Sequence, residues 1–192
     1  MMPVRNLMPW DELNVIRDKV SAISRRHFTA DDAEEILDEL FDLFILAYLD
    51  GVEQTNGDLK TDVQADADQM HSAVNRRIDG EDFRDRVRNY CAEDDADGIM
   101  KVAETEMHFC FNSGAYDTAE KARLDVPVYK KWYTMRDERV RDTHNYLEGM
   151  VVGLDDKFYT DDGDSARFPG DFSLPENNIN CRCGIGYTTE GM

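Results

Sequence analysis

Cys181 and Cys183, one residue apart in NINCRCGIGY, and His144 in RDERVRDTH are the residues whose types suit coordination chemistry. Thiolate and imidazole are the donors that zinc prefers. In RDERVRDTH, Asp137, Arg141 and His144 stand at i, i+4 and i+7, a spacing that puts all three on one face of a helix. In a strand, Cys181 and Cys183 share a face because side chains alternate, and Arg182 between them points away. A helix offering Asp137 and His144 against a strand offering Cys181 and Cys183 holds the ingredients of a mixed-ligand zinc site. The same spacing allows a plainer arrangement, in which Asp137 and His144 hydrogen-bond within the module and the thiols pack against Trp132. A disulfide between the two is disfavoured, since it would close a small, strained ring.

Other chemistry finds less support. There is no phosphate-cradling glycine loop, no nucleophile elbow and no histidine pair at metalloprotease spacing. DDGD at 161–164 lacks the later ligands of a calcium loop and reads as a turn. His144 beside Asp137 or Arg141 could serve as a general base, which keeps a metal-dependent nuclease or toxin-like hydrolase as the alternative, without a visible nucleophile. His27, His71 and His108 have no partner at ligand spacing. Cys91 and Cys110 fall in helical patterns and read as buried thiols.

The elements that must position these residues follow from periodicity. PWDELNVIRDKVSAISRRH places Leu13, Ile16, Val20 and Ile23 at helical spacing, with Pro9 and Asp11 at its start. A second helix opens at Thr29 and Asp32, a capping arrangement. It carries a broad stripe of Ile36, Leu37, Leu40, Phe41, Phe44, Ile45, Tyr48, Leu49 and Val52. That stripe is wider than a small bundle needs, so part of it is expected to meet a partner or a second copy. A third helix is expected from Thr61 to Gly80, a fourth over EDFRDRVRNYC, and a long fifth over IMKVAETEMHFCFNSGAYDTAEKA that Gly114 could kink.

From Val126 the pattern changes. The chain starts extended at Pro127, passes Trp132 and becomes a helix ending at Gly149. MVVGL and KFYT read as strands joined by a tight turn at Asp155-Asp156, and INCRCGIGY as a closing strand. The expected fold is α+β: a helical region over 1–125 and a small module over 126–192, built from a helix and short antiparallel strands.

The formal net charge of −19 over 192 residues bounds the partners. Duplex DNA is held by cations displacing counterions, so strong nucleic-acid binding is not expected. Anionic membranes would repel the chain. A basic block, Lys130, Lys131, Arg136, Arg139 and Arg141, relieves the acidity locally. MMPVRNLMPWDEL does not resemble a signal peptide. LFDLFILAYL is interrupted by Asp42 and too short for a bilayer, so a cytosolic product is expected.

Several of these stretches, taken in order, resemble one family. ETEMHFCFNSGAYDTAEKA, KKWYTMRDERVRDTHNYLEGMVV, FPGD and NCRC are similar to the phage head-morphogenesis family typified by the F protein of phage Mu. Thr105 and Glu106 match its threonine-glutamate pair. Trp132, Asp137, Arg139, Val140, Arg141, His144, Leu147 and Gly149 match its central block. Pro169, Gly170 and then Asn180, Cys181, Arg182 and Cys183 match its final elements. Glu104 stands where many relatives have arginine, and the amino-terminal region is shorter than in many of them.

The resemblance implies a minor head protein of a tailed phage or prophage. Such a protein associates with portal and inner capsid proteins, resides in the host cytoplasm during assembly and then in the virion head. It also favours a structural zinc stapling the small module through Asp137, His144, Cys181 and Cys183, since four protein ligands leave no open position. Trp132 and Leu147 are then packing partners, and Arg139 and Arg141 pair with carboxylates or a partner.

Overall fold

The computed structural model describes residues 8–124 and 126–190. Helix α1 (Trp10–Ile23) buries Leu13, Ile16, Val20 and Ile23, as its spacing requires. Helix α2 (Ala30–Leu59) starts in a capping box: Asp32 N donates to Thr29 Oγ1 at 3.2 Å, and Thr29 N donates to Asp32 Oδ2 at 2.8 Å. Helix α3 is shorter than its pattern suggests, spanning only Ala67–Val74 with Asp66 as its cap. Lys60 turns left-handed at φ 57° to end α2. The Asn56 amide then accepts from Val63 N and donates to Val63 O, both at 2.8 Å. A side chain that occupies these backbone groups prevents the helix from forming there. Helix α4 (Phe83–Ala92) is capped by Asp82, after a turn at Asp79 and Gly80.

Helix α5 (Ala96–Ala122) runs through the middle of the molecule and is continuous at Gly114. The glycine serves contact instead of bending. A Cβ on Gly114 would collide with the Tyr48 carbonyl oxygen, and one on Gly51 with that of Phe111. The α2 and α5 backbones therefore touch where they cross, which only residues without Cβ permit. This packing, completed by α1, α3 and α4, covers most of the α2 stripe. Ile36, Leu37, Leu40, Phe44, Tyr48 and Val52 are buried, Phe41 and Ile45 pack partly against the core, and Leu49 stays 40% exposed. The bundle thus needs less outside cover than the stripe suggests.

In the carboxyl-terminal part, β1 (Tyr129–Tyr133) lies between β2 (Val151–Gly153) and β5 (Gly184–Thr188), antiparallel to both. Strands β3 (Phe158–Tyr159) and β4 (Ser165–Ala166) form a separate hairpin. The expected β2–β3 hairpin does not form. Asp156 N donates to Gly153 O at 3.1 Å and Gly153 N to Asp156 Oδ2 at 3.2 Å, so this turn redirects the chain. The helix expected up to Gly149 contracts to the single turn α6 (Asp142–Asn145), and a second single turn, α7 (Pro175–Asn178), precedes the cysteines.

The fold is α+β, helical first and then the small antiparallel module. The module's core is shared with the helices. Leu59 of α2 and Ala115, Tyr116, Ala119 and Ala122 of α5 join Trp132, Leu147, Phe158, Phe168, Phe172 and Ile185 in one cluster.

Candidate metal centre

Strand β1 leaves the sheet at Tyr133 and returns as β2 after a loop over 134–150. Its neck is closed by Gly149 N donating to Trp132 O at 2.9 Å and Trp132 N to Met150 O at 3.0 Å. Inside the loop, Glu148 accepts from Thr134 N at 2.6 Å and from Arg136 Nη2 at 2.7 Å. Arg136 is left-handed at φ 53°, so the chain there is not helical and Asp137 does not share a helix face with His144. The α6 turn then aims His144 inward. Phe172 stacks on its ring at 5.2 Å and Trp132 meets it edge-on at 5.9 Å.

Cys181 and Cys183 lie in the extended stretch just before β5. Both Sγ atoms stand 3.6 Å from His144 Nδ1, and the three residues are 1%, 4% and 3% exposed for His144, Cys181 and Cys183. Among the described residues this is the group of three whose ligand atoms all fall within 4.8 Å of one another. A tetrahedral ion with ordinary zinc–sulfur and zinc–nitrogen bonds places such donors about 3.6 Å apart. The two sulfur–nitrogen distances therefore match those of a metal site. The donor set, two thiols and an imidazole, is the one zinc favours. A niche of about 10 Å³ lies against these side chains, with Arg139, Val140, Arg141, Asn180 and Arg182 around it. The hydrogen bond from Cys183 draws the Cys181 pKa well below that of a free thiol, aided by His144, and the same bond with burial holds Cys183 up.

Asp137 is placed elsewhere. Its carboxylate accepts two hydrogen bonds from Arg182, at 2.6 and 2.9 Å, and that pairing draws its pKa down. Arg141 donates to the Ile179 carbonyl, clasping the loop to the segment before the cysteines. The arginine between the cysteines thus ties the same two segments together from outside.

A second layer holds the segment in place. Thr105 Oγ1 on α5 accepts from Asn180 N at 3.4 Å. Beside it Glu106, 1% exposed, accepts from Arg76 Nε at 2.6 Å and Arg86 Nη2 at 2.9 Å, while Arg76 also donates to Gly170 O at 2.9 Å. Burial opposes ionisation of Glu106, but the two arginines outweigh it and its pKa falls. Asn112 Nδ2 donates to Pro169 O at 3.1 Å. Asp164 accepts from Ser173, Leu174 and Asn177, and Asn178 bridges both polar groups of the Phe172 backbone. Glu104 pairs with Arg17 at 2.8 Å.

Sequence reasoning missed Arg76, Arg86, Asn112, Asp164, Asn177 and Asn178. A signal was available only for the arginines, since a glutamate on the buried face of a central helix requires cations opposite it. Lys130, one of the five residues of the basic block, does not contribute its charge to the surface. It is fully buried, and its Nζ has no hydrogen-bond partner among the described residues.

Comparison with known proteins now decides the family. A family model described as "Phage Mu protein F like protein" matches residues 63–185. The chain belongs to this family. Minor head protein GP7 of Bacillus phage SPP1 is 32% identical over 90 residues, which is 47% of this chain and 29% of that protein. The NAD(+)--arginine ADP-ribosyltransferase EFV of Enterococcus faecalis is 38% identical over 94 residues, 48% of this chain and 19% of that protein. Each match therefore covers less than a third of the relative's length. No solved structure matches the chain. The Phage Mu F-like match takes in α3, α4, α5, the sheet and all three residues of the centre, and ends within β5. No helix among the described residues is long and apolar enough to cross a membrane.

Proposed function

We propose that this chain is a minor head protein of a tailed phage or prophage. It acts in head morphogenesis in contact with portal and inner head proteins, first in the host cytoplasm and then in the virion head. One observation supports this most: the family match covers residues 63–185, and its parts are braced against one another. Within it, Glu106 reaches Gly170 through Arg76, Thr105 reaches Asn180, and His144 reaches both cysteines. A part that must survive assembly intact gains from such cross-bracing. Zinc, if bound, would be held by His144, Cys181 and Cys183, with Asp137 steadying Arg182 at its edge. Bound there, it would supply a crosslink between the 134–150 loop and β5.

The test is co-purification of the full chain with the portal protein of the same phage or prophage. A stable complex across moderate salt is expected, together with self-association or its absence read from the same chromatogram. A chain that ignores portal and is dispensable for infectious heads would sink the reading. The nuclease or hydrolase alternative gains nothing from the geometry. His144 Nδ1 faces two sulfurs and Nε2 is buried without a partner, so neither nitrogen is offered to a substrate.

A further inference from the structure

Three donors do not complete a tetrahedral shell. Among the described residues no fourth histidine, cysteine or carboxylate joins His144, Cys181 and Cys183. Asp137 in the loop has both oxygens engaged by Arg182. What borders the niche on the remaining side is cationic and amide: Arg139, Arg141, Asn180 and Arg182. Two of these arginines are committed, Arg141 to the Ile179 carbonyl and Arg182 to Asp137. Arg139 is exposed, and among the described residues its guanidinium makes no hydrogen bond or ion pair, acting on Asp137 only through its charge.

A divalent metal with two thiolates and a neutral imidazole carries no net charge. One added carboxylate leaves a single negative charge, which the guanidinium of Arg139 can neutralise by a forked hydrogen bond. A niche of about 10 Å³ has room for little beyond the ion, so the incoming group must be slim and reach in with one oxygen. A planar carboxylate does this better than a tetrahedral phosphate. The chain's net charge of −19 also repels a polyphosphate strand far more than a lone acid.

We propose that a metal held by His144, Cys181 and Cys183 takes its fourth ligand from outside the chain, a carboxylate oxygen guided by Arg139. This rests on the metal reading above. It changes the meaning of the centre, from a closed staple to a staple that can also receive an acidic side chain of a neighbouring head protein, or a free carboxylate.

The experiment uses the full chain loaded with cobalt(II), whose thiolate charge-transfer absorption reports metal binding and whose visible bands report the fourth ligand. Acetate, a capped peptide bearing one glutamate, and inorganic phosphate are titrated separately. Acetate and the peptide are expected to shift the visible bands saturably. Arg139→Gln should weaken that response about tenfold while leaving the charge-transfer band in place, and Arg139→Lys should restore part of it. Tighter binding of the peptide than of acetate assigns the ligand to a partner side chain; equal binding assigns it to a free carboxylate. Visible bands that ignore both, or that respond to phosphate alone, overturn the proposal, as does an Arg139→Gln response equal to that of the unaltered chain. Absence of the charge-transfer band removes the metal reading itself, and this inference with it.

Discussion

Cys181 and Cys183 both face one imidazole nitrogen, and a metal bound there would take both sulfurs as thiolates. Replacing Cys183 by serine should therefore release about one zinc per chain, read by elemental analysis of tag-free protein. It should also destabilise the protein by about 3 kcal/mol or more, because binding free energy at such a site is folding free energy. Full-chain protein without zinc, whose melting curve ignores a strong chelator, would return the thiols to simple packing. Lys130 makes a separate prediction at the same scale. Burial, reinforced by Arg167, pushes its pKa down to about 8, and its Nζ sits over the Tyr116 and Phe158 rings at 5.3 and 5.5 Å. The unfolded lysine titrates higher, near 10.4, so between the two values the unfolded state binds more protons and stability rises with pH. The penalty is complete below the folded value and fades on passing upward through this window. Lys130→Met should accordingly stabilise the protein by about 2 kcal/mol near neutral pH, and by much less above about pH 10. Equal stabilisation at both pH values, by urea denaturation, would show that the charge is not the cause.

Among the elements, the crossing of α2 over α5 carries the most weight, since α5 belongs to both apolar clusters. Gly114→Ala puts a methyl group against the Tyr48 carbonyl, where backbone rather than a pliant side chain must yield. A loss of about 3 kcal/mol is expected, at the upper end of overpacking, although alanine is the better helix former. Gly57→Ala is the matched control. It lies on the same α2 with open space around it, and should be neutral or slightly stabilising. Comparable losses at both glycines would show that the crossing is looser than described.

For the whole molecule, the change at Val126 is a change of secondary structure above a shared core. Leu59, Ala115, Tyr116, Ala119 and Ala122 fill the space beneath Trp132, and Arg76 and Arg86 brace Glu106 from the helical side. Residues 126–192 produced alone should consequently lack a cooperative melting transition, with or without zinc. The full chain should lose both parts together. A fragment with dispersed amide resonances and a sharp transition would restore an autonomous module.

What the sequence determined by itself is what local forces settle. The four buried positions of α1, the Thr29–Asp32 box and the buried part of the α2 stripe follow from helical period and capping, which act within a few residues. The ordered motifs named the family, and residue type alone picked out His144, Cys181 and Cys183. The tertiary structure decided the rest. The spacing from Asp137 to His144 mimics a helix, yet Arg182, 45 residues on, holds Asp137 outward while Phe172 and Trp132 hold His144 inward. Gly114 has the local signature of a break, and only the partner helix shows it to be a point of contact. Lys130 looks basic and exposed in a run of charges, but pairing of β1 with β2 and β5 seats it inside, over the Tyr116 and Phe158 rings. In each case the deciding interaction joins residues distant in the chain, and its energy exceeds the local preference that the sequence displays.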